Sequence, residues 1–159
     1  MDADFQSLAT TVRALLMIDA PRETRASAIA AAIAAARSYR WVGIYEVTES
    51  EVRNLGFSGS SAPAFPVFSR EKGLTGEMIR RNETIVCGDV SADPNYVTAF
   101  GTTQSEMIVP VRSRSGEIIG TIDIESERVN MFGDTDREMA EAVAAIVEPL
   151  FWTTSSRER

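Results

Sequence analysis

Three acidic side chains interrupt two otherwise apolar β segments, and their types and spacing make them the best candidates for chemistry. Glu106 lies in the first segment, and Asp123 and Glu125 lie two residues apart in the second. Successive side chains of a strand point to opposite faces of the sheet, so Asp123 and Glu125 share one face. Two interpretations stay open. The acids either line a solvated face, as antiparallel sheets allow, or form the wall of an acidic pocket.

The same alternation divides the rest of the second segment between two faces. We expect one face to be core and the other to be polar. The core face is predicted to carry Ile118, Gly120, Ile122 and Ile124, and the polar face Ile119, Thr121, Asp123 and Glu125.

The length and charge of the chain limit its class. With 159 residues and 44% hydrophobic content, the chain is predicted to form a single domain, residues 1–159. A net charge of -7 disfavours binding to phosphate backbones or anionic lipid, so neither nucleic acid nor a membrane is an expected partner. No apolar run reaches the roughly 18 residues that a membrane span needs, and residues 1–4 lack the start of a secretory signal. We expect a cytoplasmic protein.

The absence of histidine and the single cysteine exclude much enzymology. The chain has no histidine, which removes the usual general base and the commonest metal ligand. Cys87 is the one cysteine, so neither an internal disulfide nor a thiolate cluster for a metal can form. We expect no metal and no cofactor.

Hydrophobic periodicity predicts the elements that must position the acids. The predicted order is two helices in residues 1–39, a hairpin, a short helix, a strand, a long loop, two strands and a last helix. The predicted helices are residues 4–18, a helix beginning near Pro21, residues 73–81 and a helix from Asp134 through Leu150. The predicted strands are residues 41–47, 51–59, 84–87, 105–111 and 116–126.

Details of the last helix and of the long loop follow from local signals. Thr135 and Glu138 have capping-box spacing, and Pro149 is expected to bend the last turn. Residues 153–159 are expected to be a frayed polar tail. The loop at 89–104 is long for a compact domain, and such loops are often functional.

These elements predict an α+β domain with a central antiparallel sheet. The N- and C-terminal helices are expected to cover the aliphatic face of the sheet. The short helix and the long loop are left for the opposite face, over a ligand pocket. The sheet, the pocket and the last helix occupy residues 40–152.

Several short motifs, in this order, resemble the GAF domain, a small sensory α+β fold. Within that superfamily, the chain is most similar to the free methionine-(R)-sulfoxide reductases. The GAF-like motifs are residues 73–76, 89–94, 109–111 and 116–123, and the reductase-like stretches are residues 41–45, 72–76, 105–110, 118–126 and 132–136.

The resemblance implies a binding site for a free amino acid. Residues of that pocket, carried over by position, are Trp41, Tyr45, Glu106, Asp123 and Glu125. The cysteines that the reductases use fall at positions occupied here by Phe65, Thr75 and Ala99. Reduction of that kind needs an attacking thiolate and a resolving thiol, which these residues cannot supply.

The predicted function is therefore a non-catalytic sensory module that binds a small amine-bearing or amino-acid-like ligand. Three acids in one cavity either retain protons or share a cation, and Trp41 and Tyr45 could add an apolar or cation–π wall. Alternatively, Glu106 and Asp123 only hold the long loop through its backbone amides.

Two other functions stay open. Cys87 could serve a divergent reductase, although its position at a strand end equally suits a small buried hydrophobe. The terminal helices, with the Ala-rich face and the adjacent Phe151 and Trp152, could form a homodimer scaffold without a ligand, although core packing within one chain explains the same residues.

Overall fold

The computed structural model describes residues 3–96 and 100–152. Residues 97–99 and the predicted tail at 153–159 lie outside the described residues, so the tail stays a prediction. The helices are α1 (Ala3–Met17), α2 (Arg22–Arg37), α3 (Gly73–Arg81) and α4 (Asp134–Ala144), with 3₁₀ turns at Val90–Ala92 and Glu148–Phe151. The strands are β1 (Trp41–Val47), β2 (Glu51–Ser58), β3 (Val67–Ser69), β4 (Ile85–Cys87), β5 (Ser105–Arg112) and β6 (Ile118–Ser126).

The strands form one six-stranded antiparallel sheet in the order β3-β2-β1-β6-β5-β4. β6 lies between β1 and β5 and pairs with both along most of its length. The predicted α+β class and the central antiparallel sheet are confirmed. Position at the centre matters for function, because side chains on β6 have neighbours on both sides.

One face of the sheet carries the main core. Val42 and Ile44 of β1 and Ile122 and Ile124 of β6 are fully buried in it. α2 packs against β1 and β2, and α4 packs against β5, while α1 lies mainly on α2 as an outer layer. The predicted covering of the aliphatic face by the terminal helices is confirmed.

Two isoleucines at the start of β6 lie on the opposite faces from those predicted. Ile119 packs against the main core, whereas Ile118 packs beside Leu74 and Tyr45 on the other face. The pairing of β5 with β6 is irregular between Val111 and Arg112. An irregularity of this kind shifts the alternation by one residue, so the strict two-residue period fails before Gly120 and holds after it.

The last helix is shorter than predicted, and its first turn is capped differently. α4 ends at Ala144, and the chain continues through bonds between residues three apart, such as Leu150 N–H to Val147 C=O. Pro149 explains the change, because it has no N–H to donate and its ring would clash with the preceding turn. The helix start is held by Asp136, whose carboxylate accepts from Gly133 N–H at 2.9 Å, and not by Thr135 and Glu138.

The edge strand β3 was not predicted from the sequence. It has three residues and pairs only with β2. Pro63 and Pro66 precede it, and prolines weaken any strand signal, so a run as short as Val67–Ser69 offers little pattern to detect. β3 matters because its middle residue, Phe68, lies beside Tyr45 on the face of the sheet opposite the main core.

The face opposite the main core is covered by α3 and by described parts of the long loop. α3 packs on β5 and β4, and Phe100 of the loop lies with its ring 5.2 Å from that of Trp41. This arrangement confirms the predicted placement of the short helix and the loop. Between them and the sheet lies the candidate site.

The end of the chain bears on the predicted homodimer. Phe151 is buried, and a side chain at Gly120 would overlap its ring, so Phe151 belongs to the core of one protomer. Trp152 is 41% exposed. Dimerisation through the terminal helices stays a prediction. No described helix is long and apolar enough to cross a bilayer.

Candidate functional site

The pairing of β5 with β6 brings the three acids together. Glu106 is the register partner of Glu125, and Ile108 is the partner of Asp123, so all three acids project from the same face of adjacent strands. One carboxylate oxygen from each acid lies within 4.8 Å of the others. Glu106, Asp123 and Glu125 are 6%, 7% and 1% exposed. Such burial contradicts the interpretation of a solvated sheet face.

Oxygen atoms of this trio lack hydrogen-bond partners. Oδ1 of Asp123 and both carboxylate oxygens of Glu125 are buried and have no partner among the described residues. No described amide of the long loop donates to them, so the alternative in which the acids only hold the loop has no support from these atoms. Buried polar groups in proteins are nearly always satisfied, which makes these three oxygen atoms exceptions.

Burial raises the pKa values of all three acids, and the charges of neighbouring acids raise those of Glu106 and Glu125 further. Burial is the largest cause in each case. It raises the pKa of Asp123 to about 6 and, with the charge of Asp123, that of Glu125 to about 9. The pKa of Glu106 rises well above its usual range, through burial, the charges of both neighbours and a hydrogen bond to Asp123. At neutral pH the trio therefore holds protons in place of a counter-ion.

Among the described residues, the basic residue that lowers one of these pKa values is Arg40, which acts on Glu125. Its Nε forms an ion pair with Glu127 at 2.9 Å and its Nη2 donates to the Thr102 hydroxyl at 2.8 Å, whereas its Nη1 is buried without a hydrogen-bond partner among the described residues. Arg40 also lies over the ring of Phe100. The positive charge of Arg40 does not offset the burial of Glu125, whose pKa stays raised to about 9.

A cavity of about 380 Å³ opens beside the acids. Glu106 and Asp123 line it together with Tyr45, and burial and the three acids raise the pKa of the Tyr45 phenol, so it stays neutral. The remaining walls come mostly from apolar side chains and from the start of α3. They are Pro63, Phe65, Phe68, Lys72, Gly73, Leu74, Thr75 and Ile108.

Trp41 and Glu125 lie behind the wall of this cavity rather than in it. The Trp41 ring stacks on Phe57 with centroids 6.2 Å apart, and its indole N–H donates to the Ser61 carbonyl at 3.1 Å. Gly43 makes this possible, because a side chain there would overlap the Trp41 ring. Trp41 therefore packs against the Tyr45 ring, and Glu125 lies beside the other two acids without lining the cavity.

Two of the three positions at which the resemblance places the reductases' cysteines also line the cavity. They are Phe65, which is 52% exposed, and Thr75, which is 7% exposed. Ala99 lies outside the described residues. The cavity wall at both described positions therefore carries no thiol.

Cys87 lies near the site without lining the cavity. It is the register partner of Glu106, and its side chain packs in a small apolar cluster with Leu74 and Met78. Burial raises the pKa of the Cys87 thiol, and the nearby charges of Asp93, Asp89 and Glu77 raise it further. A thiol held protonated by an apolar and acidic environment is a poor nucleophile.

The basic and helical part of the cavity was not recognised as a site from the sequence. Lys72 precedes α3, and its neighbour Gly73 has φ +65°, the left-handed region that favours glycine. Gly76 allows close approach, since a side chain there would overlap the Glu71 carbonyl. The two glycines in residues 72–76 are visible in the sequence. The sequence does not show that they allow the start of α3 to lie against the cavity.

The acid trio has the donor set of a hard-cation site. Carboxylate oxygens from three residues could bind Ca²⁺ or Mg²⁺, which prefer oxygen ligands. The same oxygens could accept three hydrogen bonds from an ammonium group, which has three donors. The apolar walls of the cavity favour an organic cation, because a small metal ion makes no use of them.

Known proteins share this fold and are similar to the chain in part of their sequence. The chain is 32% identical over 110 residues, 67% of its length, to the free methionine-R-sulfoxide reductase of Saccharomyces cerevisiae, and spans 60% of that relative. It is 23% identical to GAF domain-containing protein A of Dictyostelium discoideum over 92% of each chain. The structure of free methionine-R-sulfoxide reductase from Neisseria meningitidis with its substrate aligns with a TM-score of 0.83 at 26% identity, covering 99% of this chain and 94% of the other.

The family model of the GAF domain matches residues 21–148, which include every strand of the sheet and all helices except α1. The similarity to reductases falls within this fold, since they share it. The chain belongs to the GAF domain family.

Proposed function

We propose that this GAF domain binds a small ligand with a protonated amine in the cavity beside Glu106, Asp123 and Glu125, and that it does not reduce sulfoxides. The observation that carries the proposal is the set of partnerless carboxylate oxygens in a buried cluster. A buried charge without a partner is strongly unfavourable, and an ammonium group supplies both the charge and the hydrogen-bond donors.

The walls of the cavity support an organic ligand. Phe68, Leu74 and Ile108 offer apolar surface beside the acids. A cavity of about 380 Å³ is in the range of small-molecule sites. The neutral Tyr45 adds an aromatic ring next to the acids, where a cation is attracted to it.

The residues at the described cysteine-equivalent positions support a role without catalysis. Phe65 has no group that can attack sulfur, and the Thr75 hydroxyl is a poor nucleophile without an adjacent base. The chain has no histidine to serve as that base. The acidic part of the cavity is thus retained where the thiol chemistry is not.

The acid trio should be essential for any amine-induced stabilisation. Wild-type protein is expected to show a raised melting temperature with at least one member of a panel containing methionine, its sulfoxide and simple alkylamines. Asp123→Asn should remove most of the shift, because a charged hydrogen bond of about 1.5–3 kcal/mol is lost. The control is Glu117→Gln, an exposed acid in the β5–β6 turn. A shift that survives both Asp123→Asn and Glu106→Gln would place the ligand elsewhere.

A second candidate function is sulfoxide reduction by Cys87. The similarity to reductases supports it, as does the position of Cys87 opposite Glu106. In this reaction the thiolate takes the oxygen from the sulfoxide sulfur, giving a thioether and a cysteine sulfenic acid. An external dithiol such as dithiothreitol then returns the cysteine to the thiol, forming a disulfide and water.

Turnover assays separate the two candidates. We expect no reduction of free methionine-R-sulfoxide by wild-type protein with dithiothreitol, because the Cys87 thiol is held protonated. Measurable turnover that is lost in Cys87→Ser would establish the second candidate in place of the first.

A further inference from the structure

We propose that the free edge of β4 is a docking site for an extended, basic peptide segment of another protein. The segment would lie beside β4 as an additional strand of the sheet, held by backbone hydrogen bonds. This edge shares no lining residue with the ligand cavity, so it is a second site and does not depend on the proposed function.

β4 is an end strand of the sheet, and one of its two edges has no neighbouring strand. It pairs with β5 alone, from Ile85 to Cys87. Backbone groups of consecutive strand residues point to opposite edges, so about half of those in β4 point away from β5. Beyond the pairing with β5, no backbone hydrogen bond between described residues involves residues 84–87. The outward N–H and C=O groups are therefore available to an added strand.

A groove of about 570 Å³ lies along this edge. Six consecutive residues, 84–89, line it, and the helices on either side contribute Glu77 and Arg81 of α3 and Arg137 of α4. Val86 is 41% exposed and offers apolar contact to a side chain of an added strand. The groove thus gives an extended backbone a place beside β4, between the two helices.

The charge of the groove favours a basic occupant. Four acids line it, namely Glu77, Glu83, Asp89 and Asp93. The two arginines of the groove are engaged within the chain, Arg81 with two of these acids and Arg137 with Glu141. Among the described residues, Asp89 and Asp93 form no ion pair. Lysine or arginine in the docked segment would complement these charges.

The same charges disfavour a second copy of this chain as the occupant. Antiparallel pairing of two β4 strands centred on Val86 would set Glu83 of each copy opposite Asp89 of the other. Like charges directly opposite each other destabilise a strand pair. The net charge of -7 adds repulsion between whole chains. The complementary partner is a short β-branched or aromatic run flanked by basic residues, which favours the extended conformation.

Two basic peptides, acetyl-KKVTVKK-amide and acetyl-KKIFIKK-amide, serve as probes in NMR titrations of isotope-labelled protein. We expect at least one to bind and to shift the amide signals of residues 83–89 more than those of β3, the other end strand. Acetyl-EEVTVEE-amide, with the same centre, should bind at least about tenfold more weakly. Methylation of the three central backbone nitrogens of the basic peptide should weaken it at least about fivefold, because backbone hydrogen bonds are lost.

A double variant tests the charge of the groove. Asp89→Asn with Asp93→Asn removes two charges, and the asparagine oxygens can still accept from the loop amides that the carboxylates bind. Affinity for the basic peptide should fall about three- to tenfold. The matched control is Asp19→Asn with Glu49→Gln, two exposed acids in the α1–α2 and β1–β2 connections, which should change the affinity less than about twofold.

Hydrogen exchange distinguishes an added strand from loose attraction between charges. In the free protein the outward amides of residues 84–87 should exchange rapidly, and the basic peptide should slow them. Such protection, lost with the methylated peptide, supports the docking site. Equal binding of the methylated peptide, or equal weakening by the control variant, would overturn it, as would no binding of either basic peptide at millimolar concentration. Protection of the same amides by a rise in protein concentration alone would assign the edge to a second copy instead.

Discussion

Glu125→Gln is expected to stabilise the ligand-free protein at pH 8 by about 1–3 kcal/mol. Glu125 is 1% exposed, and burial followed by the charge of Asp123 raises its pKa to about 9. Glutamine has nearly the same shape without a proton to lose, so it removes the cost of keeping an acid protonated above its usual pKa. Most substitutions at buried positions destabilise, which makes a gain in stability distinctive.

The sign of the pH dependence follows from proton counts. Asp123 and Glu125 have folded pKa values of about 6 and about 9, above their ordinary values of 3.8 and 4.5. Between those limits the folded chain binds more protons than the unfolded chain. The free energy of unfolding therefore falls as pH rises from about 4 through 9. The gain from Glu125→Gln should accordingly be large at pH 8 and nearly absent at pH 4.5.

Urea denaturation of the ligand-free protein at pH 4.5, 6 and 8 measures both effects. Glu117→Gln is the matched control, because Glu117 is exposed and its substitution should change the stability by less than about 0.5 kcal/mol. Loss of stability in Glu125→Gln at pH 8 would contradict the prediction, since it would mean that the carboxylate is ionised and well paired in the folded protein.

The affinity for an amine is expected to rise with pH and to release protons. A bound ammonium group favours ionised carboxylates, so binding lowers the raised pKa of Asp123 and Glu125. Where binding displaces one proton, the affinity increases by up to about tenfold per pH unit. The increase should continue up to about pH 9, the pKa of Glu125 in the ligand-free protein, and reverse above about pH 10, where an alkylamine itself loses its proton.

Calorimetry in two non-amine buffers of different ionisation enthalpy measures the protons released, since amine buffers could themselves bind. At pH 7 we expect a net release of protons from wild-type protein and a smaller release from Glu125→Gln. Proton uptake on binding, or an affinity that is independent of pH from 6 to 9, would exclude the trio as the group that receives the amine.

We expect the three acids to reduce the stability of the protein when the site is empty. An ordinary core would be more stable with apolar or amide side chains at these positions. Retention of Glu106, Asp123 and Glu125 in a 1–7% exposed cluster is therefore easier to explain by function than by folding. A ligand that binds only the folded state restores the stability in proportion to its concentration.

Most of the fold could be predicted from the sequence because its patterns are local. Period-two alternation placed Asp123 and Glu125 on one face of β6, and the structure has them there. The apolar stripes of α1 and α2 and the boundaries of β1 and α3 agree with the predicted ones. In each case residues near in sequence determine the element, with no need for a distant partner.

What could not be predicted depends on contacts between distant residues. The irregular pairing near Val111 reverses the faces of Ile118 and Ile119, and no local pattern shows it. The burial of the acids requires α3 and the loop to cover a face that would otherwise be solvated. Lys72 looks like any surface lysine until the cavity is known.

The demand for positive charge at the acid trio can be measured most directly with a pair of ligands of equal shape. Calorimetric titration at pH 7.5 would compare 3-(methylsulfanyl)propylamine with 3-(methylsulfanyl)propan-1-ol, which differ by an ammonium in place of a hydroxyl group. The amine should bind at least about tenfold more tightly, and Asp123→Asn should remove the difference. Equal binding of the alcohol and the amine to wild-type protein would contradict the assignment of the acid trio as a cation site.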